Sequence, residues 1–270
     1  MKYSNLYDMH THSIHSFDGN HKISELCESA VKKGAKGIAI TDHCDIDGEK
    51  LNIDSLCTNQ ISDIDACIDR FGNSLEIIKG LEIGQAIYRK ELTESLYKKY
   101  EYDFVLGSIH NLENMEDFYF LDYRKLDFNE LMKRYFSDLI RLVDFGMFDS
   151  LAHLTYPFRY IDKDTRDCFD YSAFDELTDE ILSRLAKKEK ALEINTSGLF
   201  LDGFNDTLPN ERYIRRFKEL GGKYITVGSD SHFSEKVFGG IEQGYDIARA
   251  CGFDYITIYK KHEPMLVEIK

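Results

Sequence analysis

Two histidines one residue apart, His10 and His12 in Asp8-Met9-His10-Thr11-His12, close a short apolar run near the N-terminus. Side chains alternate along an extended strand, so both imidazoles point the same way and can grip one metal ion. For so short a motif the bland alternative is a surface strand with two incidental histidines. The rest of the chain argues against it, because His43, Glu82, His110, His153, Asp230 and His232 recur at the ends of later strand-like segments. Asp18, in Ser16-Phe17-Asp18-Gly19, brings the candidate ligands to nine. A catalytic zinc needs only three protein ligands and a water. Two or three divalent ions are therefore expected, with Glu82 a candidate bridge. Imidazole suits zinc, iron and manganese, and mixed nitrogen and oxygen ligation leaves the identity open.

Clustered ions lower the pKa of a bound water and neutralise phosphate oxygens, which points to phosphoryl hydrolysis. The chain has no Gly-x-Ser-x-Gly elbow and no Cys-His signature, so no side-chain nucleophile is called for. It also lacks a Gly-rich phosphate loop, which disfavours kinase and nucleoside-triphosphate chemistry. Arg159, six residues beyond His153, is the candidate phosphate clamp, since a guanidinium matches two phosphate oxygens in one plane. Arg166 and Lys163 compete for that role. Asp230, His232 and Asp42 are the candidate catalytic groups, and Asp42 can equally orient the neighbouring His43. Asn195, at a strand end, and His15, in the first loop, are candidate substrate-side groups, His15 being also an outer-shell candidate. His21 and His262 fall outside the motifs and are taken as solvated or helix-flanking. Tyr156, Phe158, Tyr160, Phe200 and Phe204 can wall an imidazole-sized pocket or simply pack. The acidic runs Asp45, Asp47, Glu49 and Glu113, Glu116, Asp117 read as solvated loops.

Something must bring these groups together. Apolar strand-like runs at Asn5–Met9, 37–40, 76–83, 104–110, 150–153, 191–195 and 224–228 alternate with amphipathic stretches. The spacing predicts helices over 23–33, around 61–68, and over 92–100, 129–145, 174–188, 210–220 and 241–251. A last apolar run, Tyr255 to Tyr259, ends without a ligand. Strand–helix units with a functional group at each strand's C-terminal end are what a parallel β/α barrel provides, because those ends share one rim. An open doubly wound sheet would draw its ligands from only a few strands at one crevice. No Pro-, Gly- or Ser-rich linker interrupts the alternation, so residues 1–270 read as a single domain.

Of the 270 residues 43% are hydrophobic and 30% charged, ordinary values for a globular protein. With 34 basic against 48 acidic residues the net charge of −14 argues against broad contact with nucleic acid or an anionic membrane. A small phosphorylated metabolite can still bind where metal ions are concentrated. Self-association into a homo-oligomer stays open. The six cysteines show no Cys-x-x-Cys pair and read as reduced thiols. The chain enters its first strand without a signal peptide, and no apolar run approaches the ~20 residues of a membrane span, so a cytoplasmic protein is expected.

Six pieces, Asp8-Met9-His10-Thr11-His12, Thr41-Asp42-His43, Gly80-Leu81-Glu82, Ser108-Ile109-His110, Ala152-His153 and Ser229-Asp230-Ser231-His232, stand in the order found in the polymerase and histidinol phosphatase (PHP) superfamily, which the chain resembles. The resemblance implies an α/β fold, a distorted (β/α)7 TIM-like barrel, with a trinuclear metal site. It implies that His10, His12, Glu82 and Asp230 hold one ion, that Glu82, His110 and His153 hold a second, and that His43 and His232 hold a third. Some members carry a histidine where Asp18 stands here, and Asp18 is assigned to the third ion. The size and the segment Leu192-Glu193-Ile194-Asn195-Thr196-Ser197-Gly198-Leu199 look like the monofunctional histidinol-phosphate phosphatases of that superfamily, implying L-histidinol phosphate as substrate. A metal-dependent phosphodiesterase or exonuclease, a generic phosphatase and a non-enzymatic metal-bound sensor are the rival expectations.

Overall fold

The computed structural model describes residues 2–47, 52–167 and 169–270, the side chains of Lys163 and Asp167 excepted. Glu49 and Cys168 lie outside the described residues, as does the Lys163 side chain. In chain order the elements are β1 (Tyr7–Asp8), α1 (Ile23–Lys32), β2 (Gly37–Ile40), β3 (His43–Asp45), α2 (Ile53–Phe71), β4 (Glu76–Gly84), α3 (Lys90–Lys99), β5 (Phe104–Ser108) and α4 (Phe128–Phe145). They continue with β6 (Ser150–Leu151), α5 (Lys163–Asp167), α6 (Asp175–Lys187), β7 (Ala191–Asn195), α7 (Glu211–Glu219), β8 (Ile225–Gly228), α8 (Ile241–Ala250), β9 (Tyr255–Lys260) and β10 (Glu263–Glu268).

The wall is a parallel sheet in the order β1-β2-β4-β5-β6-β7-β8, and β3 prolongs the path of β2 beside β4. It curls until its first and last strands meet. Met9 N donates to Val227 O at 2.9 Å, Asp230 N to His10 O at 2.8 Å and His12 N to Ser231 O at 2.9 Å. The result is the nearly closed seven-stranded β/α barrel that the alternation of elements predicted.

Both faces of such a strand are covered, the outer by helices and the inner by facing strands, so short apolar runs serve where an exposed sheet would alternate. Every residue of β2, β5 and β7 is buried. The helices carry one apolar stripe each. In α4, Leu131, Met132, Tyr135, Phe136, Leu139, Leu142 and Val143 recur at three and four and are buried against the barrel. Its first turn is fixed by Asp127, whose Oδ1 accepts from Glu130 N at 3.2 Å.

The run from Tyr255 to Tyr259 stands outside the wall. As β9 it pairs antiparallel with β10, which the sequence did not announce because Glu263-Pro264-Met265-Leu266 carries no clean alternation. This hairpin covers the N-terminal end of the barrel, where Lys260 Nζ reaches Asp103 at 2.9 Å and His262 Nδ1 reaches Asp149 at 2.8 Å. His262, expected to be solvated or helix-flanking, is instead stacked on Tyr97 with ring centroids 4.4 Å apart. The opposite end of the barrel is left to the chemistry. Among the described residues no helix is long and apolar enough to cross a membrane.

Candidate metal centre and active site

Strand register does much of the assembly. β3 and β4 place His43 directly beside Glu82, and His43 Nδ1 lies 2.8 Å from Glu82 Oε2. His110 and His153 stand two residues past the last residues of β5 and β6, on the same rim. Glu82 sits at the middle, fully buried, with each carboxylate oxygen facing a different set of imidazoles. Oε1 lies 3.1 Å from His110 Nε2 and 2.9 Å from His153 Nε2. Oε2 faces His10 Nε2 at 3.3 Å and His12 Nε2 at 3.7 Å in addition to His43.

Asp230 Oδ1 adds a second carboxylate, 3.2 Å from His12 Nε2 and 3.7 Å from His10 Nε2. Toward solvent, Asp18 stands 3.1 Å from His232 Nε2 and 3.7 Å from His43 Nε2, and the two imidazoles are 3.4 Å apart. The loop that carries Asp18 turns so tightly that a Cβ on Gly19 would come within 1.7 Å of the Ser13 carbonyl oxygen. All nine ligands expected from sequence are thus brought to one centre.

Four of the six imidazoles are oriented from behind. His10 Nδ1 is bonded to Glu193 Oε1 at 2.7 Å, His110 Nδ1 to Asp45 Oδ1 at 3.0 Å, His232 Nδ1 to the carbonyl of Asp230 at 3.0 Å and His12 Nδ1 to Ser16 Oγ at 3.1 Å. A donor proton on Nδ1 leaves the Nε2 lone pair free to ligate. Ser16 Oγ in turn donates to Asp42 Oδ1 at 2.8 Å, so it accepts from His12.

The fit to cations is visible in what these atoms lack. His10 Nε2, His12 Nε2, His43 Nδ1 and Glu82 Oε2 are buried and converge, and the contacts among them, 2.8 Å at the shortest, lack hydrogen-bond geometry. Buried polar atoms are rarely left so, and several together at ligand spacing point to an ion. His10, His12 and Asp230 have ligating atoms close enough to share one ion, as do His43, Glu82 and His110, and His12, His43 and His232. This is a divalent-metal centre by its donor set.

Without ions the charges compensate one another. Burial opposes ionisation of Glu82, but His110, His10 and His43 outweigh it and hold the carboxyl well below its usual range. Asp230 is held low in the same way by His10, His12, His232 and Arg159. Burial disfavours the cationic form of His10, yet Glu193, Glu82 and Asp230 raise its pKa well above the ordinary value, and Glu82 and Asp45 do the same for His110. His12 is pushed well below by burial and by neighbouring His43 and His232. Asp18, despite its burial, is drawn down to about 2 by His232 and His43.

Above the rim opens a cavity of about 1010 Å³ reached by His43, His110, Asp230, His232 and Arg159. Arg159 Nη1 lies 3.3 Å from Asp230 Oδ2, and its guanidinium sits over the rings of Tyr156 and Tyr160. Arg166, the rival clamp, turns to the carbonyls of Ile161 and Gly203. Tyr156, Tyr160 and Phe200 line the cavity, whereas Phe158 is core.

Three groups expected on the substrate side or in catalysis are placed elsewhere. Asp42 is fully buried, with its oxygens taken by Ser13 N and Oγ, Ser16 Oγ and Gln60 Nε2, so it acts behind His12 through Ser16. Asn195 is buried and spends its amide on Glu193 at 3.3 Å and its Oδ1 on Ser197. His15 points to Asp63 at 2.9 Å, away from the cavity lining.

Sequence reasoning missed the groups behind the ligands. Glu193 orients His10 with one oxygen and accepts His153 N at 2.8 Å with the other; its signal was a carboxylate inside an otherwise apolar strand. Gly228 leaves room for it, since a Cβ there would meet Glu193 Oε1 at 2.6 Å and His10 Cβ at 2.3 Å. Asp8 accepts from Ser229 N and Oγ, Phe238 N and His10 N, tying the first strand to the last. Asp45, read as part of a solvated loop, belongs to β3 and fixes His110; Asp117, read likewise, lines the cavity.

A parallel β/α barrel with a divalent-metal centre sunk in its C-terminal rim is the class that fold and site define. A family model for the PHP domain matches residues 8–197, and the chain belongs to that family. It is similar to the probable histidinol-phosphatase of Clostridium acetobutylicum, 29% identical over 263 residues that cover 95% of this chain and 98% of that one. The probable histidinol-phosphatase of Thermotoga maritima is 29% identical over 260 residues, 94% of this chain and 95% of that one. Among solved structures, the histidinol phosphate phosphatase of Lactococcus lactis subsp. lactis, complexed with zinc, L-histidinol and phosphate, matches with a TM-score of 0.84 at 27% identity, covering 97% of this chain and 99% of that chain.

Proposed function

We propose that this chain hydrolyses the phosphomonoester of L-histidinol phosphate, releasing L-histidinol and inorganic phosphate in histidine biosynthesis. The observation that carries this reading is the likeness, along nearly the whole length of both chains, to a phosphatase that holds zinc, L-histidinol and phosphate. The unpartnered, converging atoms of His10, His12, His43 and Glu82 support it independently.

His10, His12, Glu82 and Asp230 would hold one divalent ion, Glu82, His110 and His153 a second, and His43, His232 and Asp18 a third. Zinc, manganese and iron all suit that donor set. Bound there, such ions supply hydroxide near neutral pH and neutralise phosphate oxygens. The chain's own contribution is position. Arg159, fastened by Asp230 and flanked by Tyr156 and Tyr160, offers its remaining N–H groups to phosphate oxygens. Asp230 and His232 line the same cavity and would face a phosphate bound there; His232 would serve as a ligand, and Asp230 Oδ2, turned to Arg159 while Oδ1 faces His10 and His12, would hold the water proton. Burial of Glu82 and of the imidazoles around it keeps bulk water from screening these charges. The free, buried cysteines among the described residues suit a reducing cytoplasm.

The test is hydrolysis by purified protein loaded with zinc, manganese or iron. L-histidinol phosphate, phenyl phosphate and bis(p-nitrophenyl) phosphate are compared. The reading expects kcat/KM for L-histidinol phosphate about tenfold or more above phenyl phosphate, since a shaped site discriminates by its polar contacts. Equal rates on the two monoesters would reduce it to a generic phosphatase. Preferential cleavage of the diester would replace it with phosphodiesterase chemistry.

A further inference from the structure

Ser16 is buried in the loop between β1 and α1, and its hydroxyl is fully committed. Oγ lies 2.8 Å from Asp42 Oδ1, accepts from the backbone N of His43 at 3.0 Å and meets His12 Nδ1 at 3.1 Å. A hydroxyl has one proton and two lone pairs, so three bonds exhaust it. The direction of each follows from Asp42, an ionised carboxylate that can only accept and that also takes Ser13 N at 2.5 Å, Ser13 Oγ at 2.9 Å and Gln60 Nε2 at 2.9 Å. The Ser16 proton points at Asp42, and His12 must then carry its own proton on Nδ1.

These bonds lead to two different parts of the metal centre. His12 turns its Nε2 to Asp230 at 3.2 Å and Glu82 at 3.7 Å. His43, whose backbone Ser16 holds at the start of β3, turns its Nε2 to His232 at 3.4 Å and Asp18 at 3.7 Å. Asp18 itself stands two residues beyond Ser16 in the same loop, where Gly19 N donates to the Ser16 carbonyl at 3.2 Å and Asn20 N to the His232 carbonyl at 3.2 Å. The remaining imidazoles on Glu82 are supported from elsewhere, His110 Nδ1 by Asp45 and the backbone of His153 by Glu193.

We propose, on the metal assignment given above, that Ser16 is a positioning residue serving two of the three ions at once: the one assigned to His10, His12, Glu82 and Asp230 and the one assigned to His43, His232 and Asp18. A hydroxyl whose proton is drawn to a buried carboxylate is a stronger acceptor than a free serine. Placed behind His12 Nδ1, it fixes the tautomer that leaves Nε2 free and makes that nitrogen a better ligand. The same oxygen pins the backbone from which the His43 ring reaches out, and the loop it belongs to delivers Asp18. The ion assigned to Glu82, His110 and His153 lies outside its reach. Glu193 makes a different pairing, since it serves His10 and His153.

Ser16→Ala removes the acceptor from both histidines. Calorimetric titration of the metal-free protein with zinc is expected to show two equivalents weakened by about ten- to a hundredfold and one left at wild-type affinity. Nitrogen-15 NMR of the imidazoles in metal-free protein should find the His12 proton on Nδ1 in the wild type and divided between the two nitrogens in Ser16→Ala. Ser16→Thr, which keeps a hydroxyl, should recover part of both effects. Weakening of a single equivalent, or of all three by one factor, would overturn the proposal. So would a wild-type His12 protonated on Nε2, a result that needs no variant to fold, or a His12 tautomer unchanged in Ser16→Ala. Wild-type protein that binds fewer than three zinc ions would instead remove the metal assignment beneath it, while the NMR result would still decide whether Ser16 orients His12.

Discussion

Glu193 Oε1 lies 2.7 Å from His10 Nδ1, and both side chains are fully buried. The other oxygen of Glu193 receives His153 N, so one carboxylate sets the direction of one imidazole and the backbone of a second. Groups in this position behind a metal ligand are worth about ten- to a hundredfold in metal affinity. Glu193→Gln is therefore expected to weaken metal binding by about that factor, with activity recovered at higher metal concentration. Glu193→Ala should be worse, because His10 Nδ1, His153 N and Asn195 Nδ2 then all lose their acceptor. Metal titration with atomic-absorption counting checks both; wild-type affinity in Glu193→Gln would mean that packing alone orients His10.

Removal of metal should be reversible and should depend on pH in a definite direction. In the ion-free centre the pKa values of His10 and His110 are raised well above the ordinary imidazole value, their burial being outweighed by Glu193 and Glu82 in one case and by Glu82 and Asp45 in the other. These imidazoles hold protons at neutral pH, and an entering cation must displace them. Apparent metal affinity should rise with pH through and beyond the usual histidine range, and chelators should strip the protein most easily on the acid side. Calorimetry in two buffers of different ionisation enthalpy should find protons released on zinc binding. Net uptake, or none, would contradict the arrangement.

The phosphate side of the cavity is tested at Arg159. Arg159→Lys keeps a charge but loses the planar fork, and its effect should fall on the phosphate common to every substrate. We expect kcat/KM for L-histidinol phosphate and phenyl phosphate to drop together, by about tenfold or more. Their ratio should stay within a factor of about two. A loss confined to L-histidinol phosphate would show that Arg159 meets the alcohol and not the phosphate.

The candidate ligands were legible because a metal site needs specific donors at strand ends, and alternation with helices turns those ends into one rim. His43 and Glu82 lie far apart in the chain, yet the parallel register of β3 and β4 makes them neighbours. The supporting groups were not legible, because nothing local marks Glu193 or Asp45 as bonded to a particular imidazole; that follows only from which strands adjoin. Asp42 illustrates the limit. Adjacent to His43 in sequence, it acts on His12 through Ser16, because the first loop folds over it. The hairpin of β9 and β10 escaped notice for a related reason, since β9 has the composition of a barrel strand and only its antiparallel partner keeps it out of the wall.

Asp149 lies at the end of the barrel away from the candidate metal centre, and its substitution should separate stability from catalysis. It is buried, and its Oδ2 accepts from Val105 N at 2.8 Å and meets His262 Nδ1 at 2.8 Å, while Tyr97 Oη reaches Oδ1 at 3.3 Å. Asp149→Ala leaves the Val105 N–H without an acceptor inside the barrel, which costs about 1–3 kcal/mol. Loss of the His262 contact, which holds the hairpin against the barrel, adds to that. Asp149→Asn keeps an acceptor for Val105 and should lose less. Urea unfolding should show lower midpoints in that order, with kcat/KM of the folded enzyme unchanged because substitutions at this face of a barrel affect stability and not the rim. If kcat/KM fell while the midpoint held, the two ends of the barrel would be coupled, and the division between a closing hairpin and a catalytic rim would be wrong.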